Sequence, residues 1–113
     1  MAFNAVTETI KSGIVKITLS GELDANTAAA FRAEVEKAAA QRPKRLVLMM
    51  QELEYMASAG VRVLVFTKQK MGPGVEIMAV APQDTVLETL KLTGLERALE
   101  ILPAYDAAKI ENL

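Results

Sequence analysis

Five consecutive apolar residues, Leu46-Val-Leu-Met-Met50, follow shortly after the helix-breaking Pro43. Side chains on a strand alternate between faces, so a run without a polar member belongs to a strand buried on both, covered or paired on every side. Such a strand cannot stand at a wet edge. The segments around it must supply its neighbours.

Before it, Val15, Ile17 and Leu19 alternate with Lys16 and Thr18, the period of a half-buried strand over residues 14–19. Ser12-Gly13 marks a turn, and the stretch from Phe3 to Ile10 is rich in β-formers, so the chain opens with an antiparallel hairpin. From Asn26 the period changes. Thr27, Phe31, Val35 and Ala38 recur at helical spacing, with Arg32, Glu36 and Lys37 left to face water, predicting a helix to about Gln41.

Beyond the apolar run, Gln51-Glu-Leu-Glu54 is polar, and the spacing predicts a second helix from Ser58 to Met71 with Val61, Leu64, Val65 and Lys68 on one face. Gly72-Pro73-Gly74 stops it. Val75 to Val80 reads as a strand, and Pro82-Gln83-Asp84 opens a third helix that carries Val86, Leu87 and Leu90 and ends at Gly94. A strand from Leu99 to Leu102 and a helical turn from Tyr105 follow. The order β-β-α-β-α-β-α-β-α predicts an α/β fold: one domain over residues 1–113, built on a mixed sheet of four to five strands with parallel crossovers through helices.

Composition removes whole classes of function. The chain has neither cysteine nor histidine, so disulfides, thiolate metal sites, cysteine nucleophiles and a Ser-His-Asp triad are all excluded. Asp24, Asp84 and Asp106 stand singly rather than at calcium-loop spacing, and neither metal nor other cofactor is expected. Thirteen basic against fourteen acidic residues lack the positive footprint of a nucleic-acid binder. No apolar stretch approaches a membrane span and the N-terminus lacks a secretory pattern, making the cytoplasm the expected compartment, without membrane insertion. Arg42-Pro-Lys-Arg45 reads as solvated surface, and Gly72-Pro73-Gly74, without the Lys-Ser/Thr of a P-loop, as a turn.

Met56-Ala-Ser-Ala-Gly60 is the one place where a hydroxyl stands among small residues at an element boundary. Two readings of Ser58 follow. It caps the second helix by accepting a backbone N–H, or it is an accessible hydroxyl whose phosphate would meet the free N–H groups and positive end of that helix. The segment superficially matches a nucleophile elbow, but Met56 replaces its first glycine, and no lysine stands in an evidently pKa-lowering context. Catalysis is not expected. At the end of the second strand, Gly21-Glu-Leu-Asp24 reads locally as the capping cluster of the first helix.

Taken together, Gly21-Glu-Leu-Asp-Ala-Asn-Thr27, Leu46-Val-Leu-Met-Met50, Leu53-Glu-Tyr-Met-Ala-Ser-Ala-Gly-Val-Arg-Val-Leu64 and Leu92-Thr-Gly-Leu95 resemble a STAS domain of the anti-sigma factor antagonist (anti-anti-sigma factor) type, along nearly the full chain. The resemblance implies a mixed sheet with helices mainly on one face and a bacterial partner switch. In that scheme the unphosphorylated protein binds an anti-sigma factor serine kinase and frees the sigma factor. The kinase then phosphorylates it, and a PP2C-type phosphatase restores it. Ser58 aligns with the phosphorylated serine, two positions before Gly60. Many members carry aspartate at the position of Ala57, and a second serine or threonine often stands at that of Ala59. The alternative is a constitutive STAS subunit of a transporter or sensor scaffold, with Ser58 structural. On either reading the expected contact surface comprises Tyr55, Met56, Ala57, Ala59 and Gly60, Arg62 on the second helix, and Gly21, Glu22 and Asp24 on the adjacent turn; Tyr55 and Met56 equally suit a role covering the sheet.

Overall fold

In the computed structural model, which describes residues 2–113, the apolar run lies in the central strand of a five-stranded sheet. The strands are β1 (Asn4–Lys11), β2 (Ile14–Leu23), β3 (Arg45–Met56), β4 (Glu76–Val80) and β5 (Glu100–Leu102). They lie in the order β1-β2-β3-β4-β5; β1 and β2 form the antiparallel hairpin and all later pairs are parallel. The crossovers are α1 (Ala28–Ala40), α2 (Ser58–Met71) and α3 (Asp84–Leu92) with a following 3-10 turn (Leu95–Arg97), and a short α4 (Ala107–Ile110) ends the chain.

Each crossover moves one strand over in the same direction. Because such connections are right-handed, successive steps in one direction place α1, α2 and α3 on a single face. The burial pattern agrees. Leu46 and Leu48 of β3, Val15, Ile17 and Leu19 of β2, and Ile77 and Ala79 of β4 share a core with Phe31 and Val35 of α1, Leu64 of α2 and Val86 and Leu90 of α3. On the opposite face Ile14, Val47, Met78, Val80 and Leu102 form a smaller core closed by Ile110 of α4. The unbroken apolar run is thereby explained, since β3 contributes to both cores.

Three expectations needed correction. β3 does not end at Met50 but continues to Met56, because β2 stays paired with it through Gly21↔Leu53 and Leu23↔Met56. The polar residues Gln51, Glu52 and Glu54 are exposed there, so hydrophobicity gives no sign of the strand. The buried stripe of α2 is Gly60, Val63, Leu64 and Thr67 rather than the one through Val61, Val65 and Lys68, and Val65 is 42% exposed. Two of the four buried positions, a glycine and a threonine, carry no apolar signal. The Thr67 hydroxyl is satisfied by donating to the Val63 carbonyl at 2.6 Å. The last helix starts at Ala107 rather than at Tyr105, with the Asp106 side chain accepting from the Lys109 N–H.

A fourth correction concerns the basic loop. Arg42 and Lys44 are exposed as expected, but Arg45 is 7% exposed. One guanidinium nitrogen donates to the carbonyls of Lys109, Ile110 and Asn112 at 2.8–3.0 Å, and another meets the Glu76 carboxylate at 2.6 Å. The carbonyls at the end of α4 lack intrahelical donors, and Arg45, at the entry to β3, supplies them. Glu76 is half-exposed, so its attraction is screened and the carbonyl bonds carry most of the clamp. Arg45→Met, which keeps the apolar stem and removes the donors, is expected to lower unfolding free energy by about 2–3 kcal/mol. Urea denaturation checks this, and an unchanged midpoint would contradict a clamping role.

Candidate functional site

The overrun of β2 and β3 beyond β4 builds the site. β4 ends at Val80 and pairs β3 only as far as Met49, so residues 51–56 of β3 lack a strand on that side. The start of α3 takes its place: the Gln83 side chain donates to the Gln51 carbonyl at 2.8 Å and the Thr85 hydroxyl to the Glu54 carbonyl at 3.0 Å. On the other side the pairing Glu22↔Tyr55 and Leu23↔Met56 carries β3 to its last residue. Ala57 N–H then donates to the Leu23 carbonyl at 2.8 Å, and the chain turns into α2. The Gly21–Asp24 and Tyr55–Gly60 segments, distant in sequence, thus become neighbours.

Glycine is required at two points here. Gly21 has φ +83°, and a Cβ there would lie 2.3 Å from the Ala2 carbonyl oxygen. Gly60 has ordinary helical geometry but faces the ends of β2 and β3, where a Cβ would lie 2.7 Å from two atoms of Leu23 and 2.8 Å from Met56 Cγ. Removing the side chain lets the first turn of α2 rest directly on those strand ends.

Asp24 acts in the turn before α1 rather than as the cap of that helix. One carboxylate oxygen accepts from the Asn26 and Thr27 N–H groups at 2.9 and 3.2 Å. Thr27 is the capping residue by position but makes no side-chain cap bond. Its hydroxyl donates to the Glu22 carbonyl and accepts from the Asp24 N–H, both at 2.9 Å, fixing the turn that borders the site.

The capping reading of Ser58 is not what the structure shows. Ala57 occupies the cap position, with φ −82° and ψ 176°, and Ser58 is the first residue of α2. Ser58 is exposed, and its hydroxyl has no hydrogen-bond partner among the described residues. With alanine at the cap, the Ser58 and Ala59 N–H groups receive no side-chain acceptor; the Gly60 N–H donates to the Ala57 carbonyl. The hydroxyl therefore sits at the positive end of a fourteen-residue helix whose free N–H groups suit an anion.

Around it, Tyr55 is 50% exposed, Glu22 and Arg62 are exposed, and Ala57, Ala59 and Asp24 are partly so. Met56, 3% exposed, belongs to the core, and Gly21 and Gly60 are buried. Those three shape the site from beneath instead of presenting a side chain to a partner. Sequence reasoning missed Leu23, Thr27, Gln83 and Thr85. Leu23 acts through strand register, and Gln83 and Thr85 through hydrogen bonds to residues 32 and 31 positions away, which leave no local pattern; Thr27 acts through a local turn that its place on the helical stripe does not reveal. Among the described residues no three His, Cys, Asp or Glu side chains are grouped to hold a metal ion, and no helix is long and apolar enough to cross a membrane.

The STAS domain family model matches residues 5–108. The chain belongs to the STAS domain family. The anti-sigma-F factor antagonist RsfB of Mycobacterium tuberculosis is 28% identical over 96 residues, covering 85% of this chain and 79% of RsfB. The crystal structure of an anti-sigma factor antagonist from Mycobacterium paratuberculosis superposes with a TM-score of 0.87 at 25% identity, covering 98% of this STAS chain and 96% of that one. The Bacillus cell fate determinant SpoIIAA in its phosphorylated form shares the fold, with a TM-score of 0.72 at 22% identity over 97% of each chain. The five strands and the three helices on one face are thus the STAS architecture.

The packing of Gly60 yields a direct test. Gly60→Ala is expected to cost roughly 1–3 kcal/mol, because Leu23 and Met56 are themselves buried and have little room to retreat. Gly74→Ala, where a Cβ meets nothing within 4 Å, should stay within about 0.5 kcal/mol of the parent. Equal unfolding midpoints for the two variants would refute the packing role.

Proposed function

We propose that this STAS protein is an anti-sigma factor antagonist whose binding is controlled by phosphorylation of Ser58. The observation that carries the reading is the exposed, unpartnered Ser58 hydroxyl on an uncapped helix start, within a family whose similar members bear that name. In the unphosphorylated form the surface around Tyr55, Ala57, Ser58, Ala59 and Arg62, with Glu22 and Asp24 beside it, binds an anti-sigma factor serine kinase and so releases the sigma factor or related regulator. Gly21, Met56 and Gly60 hold that surface in place. These roles suit a binding protein acting in the cytoplasm rather than an enzyme.

In the kinase reaction the γ-phosphoryl group of ATP passes to Ser58 Oγ, the hydroxyl proton leaves to a base on the kinase, and ADP departs. A PP2C-type phosphatase then uses water to return the hydroxyl and inorganic phosphate. The physical lever is charge: a phosphate brings about 1.5–2 negative charges to a surface that must lose water to bind, while the helix N-terminus tolerates it without unfolding. Small neighbours at Ala57 and Ala59 leave the hydroxyl open to a kinase active site.

Ala57 supports a second reading, a constitutive STAS subunit of a transporter or sensor scaffold. It places no carboxylate beside Ser58, where many relatives of the antagonist type carry one. Intact-mass analysis after incubation with ATP and candidate anti-sigma kinases separates the two. The antagonist reading expects one phosphate on the wild type and none on Ser58→Ala, with Ser58→Ala retaining kinase binding and Ser58→Asp folded but binding at least about tenfold more weakly, a penalty of roughly 1.4 kcal/mol. No phosphate from a kinase that binds, or equal affinity of both variants, would favour the constitutive subunit.

A further inference from the structure

Four residues separate Ser58 from Arg62, one turn of α2, and both are exposed. Side chains so spaced are neighbours on the helix surface, with Cβ atoms about 5–6 Å apart. Arg62 has no ion pair or hydrogen bond among the described residues, whereas Arg32 pairs with Glu36 and lies over the Phe66 ring, and Arg45 is held by Glu76 and the C-terminal carbonyls. Ser58, for its part, has a free hydroxyl and an uncapped helix start behind it. A cation without a partner therefore stands one turn from a hydroxyl without a partner.

We propose that Arg62 receives the Ser58 phosphate, closing a phosphoserine–arginine pair over the first turn of α2. The proposal rests on Ser58 being the modified residue and assigns to Arg62 a positioning role. The guanidinium fork matches two phosphate oxygens, and the remaining oxygen is left for the free N–H groups of the helix start. The acidic neighbours Glu22 and Asp24, on the turn beside the site, oppose the phosphate, so the arginine is the local group that offsets them. The pair also accounts for how modification is read without refolding: the Ser58–Arg62 turn changes from one positive charge to a net negative one.

The test needs no kinase. Phosphoserine is placed at position 58 during synthesis, and the second phosphate ionisation is followed by ³¹P NMR in the wild type, Arg62→Gln and Arg62→Lys. The wild-type phosphate should ionise about 0.2–0.4 of a pH unit lower than in Arg62→Gln at low salt. Arg62→Lys should recover part of that difference, and high salt should shrink it. Identical ionisation in the wild type and Arg62→Gln at low salt would overturn the proposal. Since the phosphate is installed synthetically, a chain that no anti-sigma kinase modifies would defeat the proposed function and leave this measurement intact.

Discussion

Parallel strands β2 and β3 stay paired to their last residues, and α2 begins where that pairing stops. Leu23 and Met56 are opposed in the register, the Leu23 carbonyl receives the Ala57 N–H, and Gly60 lies on both side chains. These contacts fix the first turn of α2 relative to the turn carrying Glu22 and Asp24. The surface that presents Ser58 is thus assembled by backbone pairing and by a missing side chain, at the end of one strand and the start of one helix.

The price of the overrun is a strand edge with nothing to pair. Beyond Met49, β3 loses β4, and unpaired carbonyls on an exposed edge invite adventitious pairing with other chains. Gln83 and Thr85 at the start of α3 cover two of them. The third crossover consequently does more than return the chain to β5: it closes the flank of the segment leading into the site. Arg45 performs a comparable task at the opposite end of β3, where it holds the chain terminus over the second core. Both ends of the central strand are secured by side chains donating to carbonyls, a way to satisfy backbone groups that have left regular structure.

At the site itself, two absences act together. Alanine at position 57 leaves α2 without a side-chain cap, and Ser58 spends its hydroxyl on no internal bond. A capping serine would have its oxygen engaged with the helix; this one is free, with the helix N–H groups still available. An anion attached there meets electrostatic support already in place, which is the physical basis for reading the position as a switch rather than as a helix start and nothing more.

The apolar run Leu46–Met50, the alternation of Val15, Ile17 and Leu19, and the helical spacing of Phe31, Val35 and Ala38 were sufficient by themselves to place β2, α1 and β3, because each element's period follows from which side must be buried. The exposed Ser58 segment was also legible, through its small residues at an element boundary. Tertiary structure alone decided the rest. Leu53 and Met56 extend β3 through polar sequence because β2 continues alongside, and α2 turns Gly60 and Thr67 inward because a helix packs by shape as well as by hydrophobicity. Arg45 is buried for a related reason: its partners are carbonyls more than sixty residues away, and no local pattern encodes a donor's distant acceptor.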